Sequence, residues 1–226
     1  MGTSDSERMV AVPPLVILDC DSTTIFDEVI ELLAETAGTR EQVARVTERA
    51  MRGELDFAES LRERVATLAG TPVSVFAETY PKIRPMTGIH RLVAAVHERG
   101  GIVGVVSGGF HELLDPLGAE LGVDIWKANR LEVLDGALTG RVSGPIIDAQ
   151  AKADTLRHWS EMTRIPLAAS IAIGDGANDL EMMKVAGLSV AFNAKPIVRE
   201  FADVVIDELD LAQVIPLLDR GRPASA

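Results

Sequence analysis

Cysteine is nearly absent from this chain, since Cys20 is the only one among its 226 residues. A lone thiol cannot form an intrachain disulfide, and disulfides belong to oxidising compartments, so we expect a cytoplasmic protein. Long apolar runs are also missing, because no stretch reaches the roughly 18 apolar residues that a membrane-spanning helix requires. We therefore expect no membrane segment.

Basic residues are in deficit: 22 Lys and Arg stand against 34 Asp and Glu, which gives a formal net charge of −12. Nucleic acids and anionic membranes favour clustered Lys and Arg, so we expect neither as a partner. A small anionic substrate is compatible with this charge only where positive side chains are concentrated locally.

Short apolar runs alternate with helical patterns along the chain, and the hydrophobic content of 47% is enough for a core. The apolar runs occupy 15–18, 102–106, 170–173, 188–192 and 203–206. The helical patterns occupy roughly 88–99, 111–121, 149–163, 178–186 and 211–218. This alternation predicts an α/β fold, a doubly wound parallel sheet with helices on both faces. Asp135-Gly136, inside 130–142, predicts a β-hairpin.

The first two apolar runs are separated by more than 80 residues, far more than one crossover helix needs. Helical periodicity, a stop signal at Gly38 and capping signals at Thr39 and Asp56 predict three or four short helices there. We expect a small helical-bundle domain over 26–85 and a core domain over 15–25 and 86–220. Residues 1–14 and 221–226 are expected to be disordered tails.

Acidic or glycine-rich segments follow the predicted strands, where open α/β sheets bind their ligands. Asp19 and Asp21 follow the first strand, and residues two apart in extended backbone share a face. Ser107-Gly108-Gly109 follows the second strand, and Asp175 lies in the glycine-rich segment 174–179 after the third. Each motif also has a simple structural explanation when it is taken alone. The acids suit an Asx turn, the glycines suit a glycine turn, and Lys152 suits an exposed position on a helix. Together, in this order, they indicate a functional site.

Clustered acids repel one another unless a cation compensates their charge. Oxygen ligands with open positions for water and phosphate suit Mg²⁺, and no His or Cys cluster supports zinc. The carboxylates of Asp19, Asp21 and Asp175 therefore predict a Mg²⁺ site.

These motifs resemble the haloacid dehalogenase superfamily of aspartyl-phosphate phosphatases. Its four motifs match Asp19-x-Asp21-x-Thr23, Ser107-Gly108-Gly109, Lys152 and Gly174-Asp175-Gly176-x-Asn178-Asp179. Within the superfamily, the segments EVIELLA, AMRGELDFAESLRERV, VVSGGF and ANRL are similar to the phosphoserine phosphatase family. The resemblance implies a Rossmann-like core with an inserted helical cap.

The resemblance also implies a role for each matching residue. Asp19 would be the nucleophile and a metal ligand, and Asp21 the general acid and base, binding metal through its backbone carbonyl. The phosphoryl group would be held by Ser107, Gly108, Gly109, Lys152 and Asn178, Lys152 being counted as catalytic as well. Asp175 would complete the metal site, and Asp179 would support it. In the cap, the substrate ammonium would meet Glu28, its carboxylate Arg64, and its apolar part Met51 and Phe57.

The leading hypothesis is a Mg²⁺-dependent phosphatase that hydrolyses O-phospho-L-serine, acting as a monomer or homodimer. A phosphotransferase that passes the phosphoryl group to another alcohol such as homoserine, and a non-catalytic phosphometabolite-binding protein, stay open as alternatives. Asp27, next to Glu28, has no role in this scheme, and we expect it to be an exposed acid in the first turn of a helix.

Overall fold

The computed structural model describes residues 12–52 and 54–219. The predicted tails lie outside these ranges except for residues 12–14, so their disorder stays a prediction. Within the described residues the chain forms one seven-stranded sheet in the order β4-β3-β2-β1-β5-β6-β7. The strands are β1 Leu15–Leu18, β2 Ile102–Phe110, β3 Ile125–Leu134, β4 Ala137–Ser143, β5 Ser170–Gly174, β6 Leu188–Phe192 and β7 Val204–Ile206.

Helices cover both faces of this sheet. The described α-helices are α1 Val29–Ala37, α2 Arg40–Met51, α3 Phe57–Ala66, α4 Ser74–Thr79, α5 Ile89–His97, α6 His111–Leu121, α7 Ala149–Thr163, α8 Leu180–Val185 and α9 Pro196–Phe201. Strand β1 shows why both faces are covered: Val16 and Leu18 pack into one apolar cluster with α5 and α6, while Leu15 and Ile17 pack into another with α7 and α8. The predicted doubly wound α/β fold is confirmed.

Strand β1 lies where the strand order reverses, because it pairs in parallel with β2 on one side and β5 on the other. Chain segments that leave β1 and β5 therefore diverge at the carboxyl edge of the sheet, where such folds form a ligand crevice. Asp19 follows β1 and Asp175 follows β5, so this topology brings the two acids to the same edge.

Five α-helices of the described residues, α1 to α5, lie between β1 and β2, and the first four fall within 26–85, where the sequence predicts three or four short helices. Gly38 ends α1 with φ 76°, and Asp56 and Glu59 form the predicted capping box of α3. Thr39 is the N-cap residue of α2, as predicted, but the predicted capping box is wrong, because the Thr39 side chain makes no capping hydrogen bond. The division of the chain into core and cap domains stays a prediction.

Several other elements differ from the sequence pattern. Strand β2 continues to Phe110, so Ser107-Gly108-Gly109 lies in extended backbone and not in a glycine turn before α6. Residues 211–217 form a 3₁₀ helix containing Pro216, whose missing N–H removes a helical hydrogen bond. Helix α9 was not predicted, since its six residues are too few for a periodic pattern.

The predicted hairpin is confirmed, with Asp135 at φ 50° and Gly136 at φ 78° in its turn. Its first strand, β3, also pairs in parallel with β2. None of the helices in the described ranges is both long and apolar enough for a membrane span.

Candidate active site

A cavity of about 890 Å³ opens between the inserted helices and the carboxyl edge of the sheet. Its sheet side is lined by Asp19, Asp21, Gly108, Gly109, Asp175 and Asn178. Its helix side is lined by Glu28, Phe57 and Arg64, among others. The structure thus brings residues from all the predicted strand-end motifs and from the insertion to one cavity.

Lys152 is the centre of the buried charge network beneath this cavity. Helix α7 carries it inward, and its side chain is 0% exposed, unlike an ordinary surface lysine. Its Nζ lies 2.7 Å from Oδ1 of Asp19 and 2.7 Å from Oδ1 of Asp179. The backbone N–H of Cys20 also donates to Oδ1 of Asp19, at 2.7 Å. Among the described residues no hydrogen bond reaches Oδ2 of Asp19, so this oxygen is available to a ligand in the cavity.

Asp179 fixes the loop that carries Asp175. Its Oδ2 accepts hydrogen bonds from the backbone N–H groups of Asp175 and Gly176, at 3.2 and 3.0 Å. A Cβ at Gly174 would lie only 2.3 Å from the same oxygen, so the close approach requires glycine. Asn178 lines the cavity, and α8 begins after Asp179, so Asn178 does not cap that helix.

Crowding of acids raises their affinity for protons. Burial raises the pKa of Asp19 to about 7, with a further contribution from Asp179 that Lys152 opposes. Burial, together with Asp179, raises the pKa of Asp175 to about 6. The pKa of Asp21 is raised well above its usual range by burial and by the nearby Glu28 and Asp19. For Lys152 burial alone would lower the pKa, but Asp179 and Asp19 outweigh it and raise the pKa.

This cluster fits a divalent metal ion. Carboxylate oxygens of Asp19, Asp175 and Asp179 lie within 4.8 Å of one another. A divalent cation would hold these buried carboxylates, whose pKa values are raised, in the ionised form. Oδ1 of Asp21 is buried without a hydrogen-bond partner in the described structure, so it can interact with a bound group. The carboxylate of Asp21 is not part of the three-acid group, and the resemblance assigned its backbone carbonyl to the metal instead.

The end of β2 forms the second wall of the sheet side. The Oγ of the buried Ser107 accepts a hydrogen bond from the backbone N–H of Gly109, at 2.8 Å. A Cβ at Gly108 would lie 2.8 Å from Cζ of Phe57, so glycine here lets an inserted helix pack against the strand. Gly108 and Gly109 line the cavity, whereas Ser107 and Lys152 are buried and are not among its lining residues.

The helix side presents three acidic residues and one arginine to the cavity: Glu28, Glu31, Asp56 and Arg64. Glu28 accepts a hydrogen bond at Oε1 from the Ser22 hydroxyl, at 2.8 Å. Burial lowers the pKa of Arg64, and the nearby Glu28, Asp21 and Glu31 oppose this shift. Arg64 Nε donates to the Ser60 carbonyl at 3.3 Å, and no ion pair of Arg64 occurs in the described part of the chain. Met51 ends α2, but its side chain lies outside what the structure describes.

Sequence reasoning missed two buried residues that hold this site together. Asn129 on β3 donates to the Gly108 carbonyl at 2.8 Å and accepts from the Ile147 N–H at 2.8 Å. An asparagine inside a strand is unfavourable, and that was the available signal for its role. The Thr24 hydroxyl donates to the Asp19 carbonyl at 2.6 Å, which fixes the turn after β1.

Comparison with known families agrees with this geometry. The model of the haloacid dehalogenase-like hydrolase family matches residues 16–184, a span that includes all four motifs. The chain belongs to this family.

Several curated proteins similar to this chain are named phosphoserine phosphatase. One from Streptococcus thermophilus is 52% identical over 211 residues, covering 93% of this chain and 98% of that protein. Another from Methanocaldococcus jannaschii is 40% identical and covers 89% and 95% of the two chains. A third from Streptomyces coelicolor is 50% identical, and the match spans half of its length and 90% of this chain.

Solved structures of phosphoserine phosphatase share the fold. A phospho-aspartyl intermediate analogue of phosphoserine phosphatase has a TM-score of 0.86 at 39% identity and covers 92% of this chain and 99% of its own. A substrate-bound phosphoserine phosphatase complex has a TM-score of 0.85, also at 39% identity, and covers 91% and 98%.

Proposed function

We propose that this chain hydrolyses O-phospho-L-serine to L-serine and phosphate, with Mg²⁺ as its divalent metal. The observation that best supports this proposal is the placement of Asp19. Its Oδ1 is held by Lys152, its Oδ2 accepts no hydrogen bond from the described residues, and the cavity that Asp19 lines also presents Glu28 and Arg64. A substrate with a phosphate at one end and an amino acid at the other fits these two walls.

In the first step Oδ2 of Asp19 attacks phosphorus, and the bond from phosphorus to the serine oxygen breaks. Asp21 donates its proton to that oxygen, a role favoured by its raised pKa. The product is an aspartyl-phosphate and L-serine. In the second step Asp21 takes a proton from water, the water oxygen bonds to phosphorus, and the bond to Asp19 breaks.

Charge balance in this site depends on two cations. Lys152 lies beside Asp19 and offsets the charge that would otherwise repel phosphate. We assign Asp19, the Asp21 carbonyl and Asp175 to the metal, which when bound polarises the phosphoryl oxygens. Asp179 is a supporting residue, since its oxygens already accept hydrogen bonds from Lys152 and two backbone amides. Ser107, Gly108, Gly109 and Asn178 bind the phosphoryl group.

Recognition of the amino acid falls to the inserted helices, which we assign to a cap domain over 26–85. Glu28 pairs with the substrate ammonium, while the planar guanidinium of Arg64 offers two parallel hydrogen bonds to its carboxylate. Phe57, with Met51, forms the apolar wall. Cytoplasmic location stays a proposal that rests on the single cysteine.

Phosphate release from a panel of phosphorylated amino acids and sugars, with Mg²⁺ and after chelation, tests this function. We expect O-phospho-L-serine to have the highest kcat/KM and chelation to remove turnover. Added homoserine separates hydrolysis from transfer: phosphohomoserine formed in place of free phosphate would contradict the hydrolase assignment. Absence of turnover with every substrate would indicate a binding protein.

A further inference from the structure

Two chain segments connect the inserted helices to the core, and they pair as an antiparallel ribbon. The N–H of Phe26 donates to the Arg84 carbonyl at 2.9 Å, and the N–H of Met86 donates to the Thr24 carbonyl at 2.9 Å. Ile25 and Pro85 face each other between these bonds. The two connections therefore form one unit, which we call the connecting ribbon, residues 24–27 and 84–86.

Asp27 and Arg84 close the outer end of the connecting ribbon. The Asp27 carboxylate accepts the Arg84 backbone N–H at 2.8 Å, its Nη2 at 2.7 Å and its Nε at 3.1 Å. The Arg84 guanidinium also lies 5.6 Å from the centre of the Phe26 ring. The Asp27 side chain is only 9% exposed and precedes α1, so the expectation of an exposed acid in the first turn is wrong.

Asp27 is tied to the substrate side of the cavity through Ser22. The Asp27 carbonyl accepts the Ser22 N–H at 3.4 Å, and the Ser22 hydroxyl donates to Glu28. Ser22 has φ 56°, a left-handed conformation that costs energy for a residue other than glycine. Such a conformation persists only where surrounding bonds hold it, and here they run through Asp27 and Glu28.

We propose that Asp27 and Arg84 are a pair of positioning residues that set the direction of the Glu28 carboxylate toward the substrate ammonium. The proposal rests on the function given above. Asp27 adjoins Glu28 in the chain, so any rotation at Asp27 displaces the Glu28 side chain directly. The pair touches neither the phosphate side of the cavity nor the charge network around Lys152.

Exposed ion pairs usually contribute little, but this pair differs from them in geometry. The guanidinium meets the carboxylate with two of its nitrogens while the backbone N–H of the same arginine fixes one oxygen. Lysine keeps the charge and loses this fork. The pair therefore fixes the position of the Asp27 carboxylate, which an opposite charge alone would not do.

The test compares two substrates that differ only at the ammonium group: O-phospho-L-serine and 3-phosphooxypropanoate, which keeps the carboxylate and phosphate. Variants Asp27→Asn, Arg84→Met and the double variant are assayed with Arg84→Lys. For O-phospho-L-serine we expect the single variants to raise KM about threefold to tenfold with kcat within about twofold. The double variant should equal the worse single variant, because the two residues act as one unit. Arg84→Lys should fall between Arg84→Met and the wild type.

The matched control is Arg40→Ala, which removes an exposed pair with Glu35 on the inserted helices, 3.4 Å long. This control should leave kcat/KM unchanged for both substrates. The Asp27 and Arg84 variants should leave kcat/KM for 3-phosphooxypropanoate unchanged. Equal losses on both substrates would overturn the proposal and leave the pair as a general structural contact, as would wild-type values throughout. Wild-type protein that fails to hydrolyse O-phospho-L-serine would overturn the proposed function itself, a result visible before any variant is made.

Discussion

At the scale of single residues, the site is built from side chains whose partners lie far away in sequence. Asp19 and Asp21 were predicted from their position after an apolar run, because strand ends and carboxylates are local signals. Asp27 was misjudged because its partner, Arg84, lies 57 residues away. Asn129 was missed for the same reason, since its structural role depends on hydrogen bonds with the distant residues Gly108 and Ile147.

Asp19→Asn tests the covalent route. The amide has nearly the shape of the carboxylate but is a poor nucleophile, so we expect kcat to fall by about a thousandfold or more while O-phospho-L-serine still binds. Phosphate release and calorimetric titration measure the two effects. Asp154→Asn, at an exposed acid on α7, is the control and should behave as wild type. An active Asp19→Asn protein would exclude an aspartyl-phosphate at this position.

Lys152→Met tests the buried network. The change leaves the carboxylates of Asp19 and Asp179 buried without their common cation, so the metal-free protein should lose about 3–5 kcal/mol of unfolding free energy. Urea denaturation in chelator gives the value. Lys184→Met removes an exposed lysine paired with Glu181 and should cost far less. Similar losses for the two variants would mean that the buried network contributes no more than a surface pair.

At the scale of elements, sequence periodicity predicted the helices and strands whose bounds depend on residues a few positions apart. Helices α6 and α7 have the predicted bounds, as do β1 and β6, because continuous apolar patterns mark them. The extension of β2 to Phe110 depends on pairing with Asn129 of β3 after an irregular register, which no local pattern shows. Residues 211–217 have helical periodicity, but Pro216 and tertiary packing favour the tighter 3₁₀ form.

Gly174→Ala tests how β5 delivers Asp175. An added methyl group would displace Asp179 and the loop it fixes, so we expect kcat to fall and stability to drop by about 1–3 kcal/mol. Gly104→Ala on β2 is the control, because a Cβ there would meet the Ile17 and Trp159 side chains instead. It should lose stability but keep kcat per folded molecule. If kcat fell in both variants, the loss in Gly174→Ala could not be attributed to the loop that Asp179 fixes.

At the scale of the whole molecule, fold and chemistry meet at one edge of the sheet. The strand reversal at β1 sets the crevice, and the acids there oppose one another until a cation binds. The overall architecture was predictable because the alternation of strands and helices is a property of the entire chain. The packing of the inserted helices was not predictable, since it depends on contacts such as Phe57 against Gly108.

Metal binding should therefore stabilise the folded protein. With Mg²⁺ at a hundred times its dissociation constant we expect a gain of about 2.7 kcal/mol in unfolding free energy, seen as a higher Tm. Asp175→Asn should reduce the gain, and Glu208→Gln, at an exposed acid, should preserve it. An unchanged Tm across a Mg²⁺ titration of the wild type would contradict a metal site in this cluster.

The two walls of the cavity come from different parts of the chain, the sheet edge and the insertion. Under the proposed roles, the sheet edge binds and transfers the phosphoryl group, and the insertion binds the remainder of the substrate. Substitutions at Glu28, Phe57 or Arg64 would then alter substrate range while the reacting carboxylates stay in place. A chain built this way is a favourable starting point for laboratory evolution, because libraries confined to 26–85 can explore new phosphate esters without rebuilding the reaction.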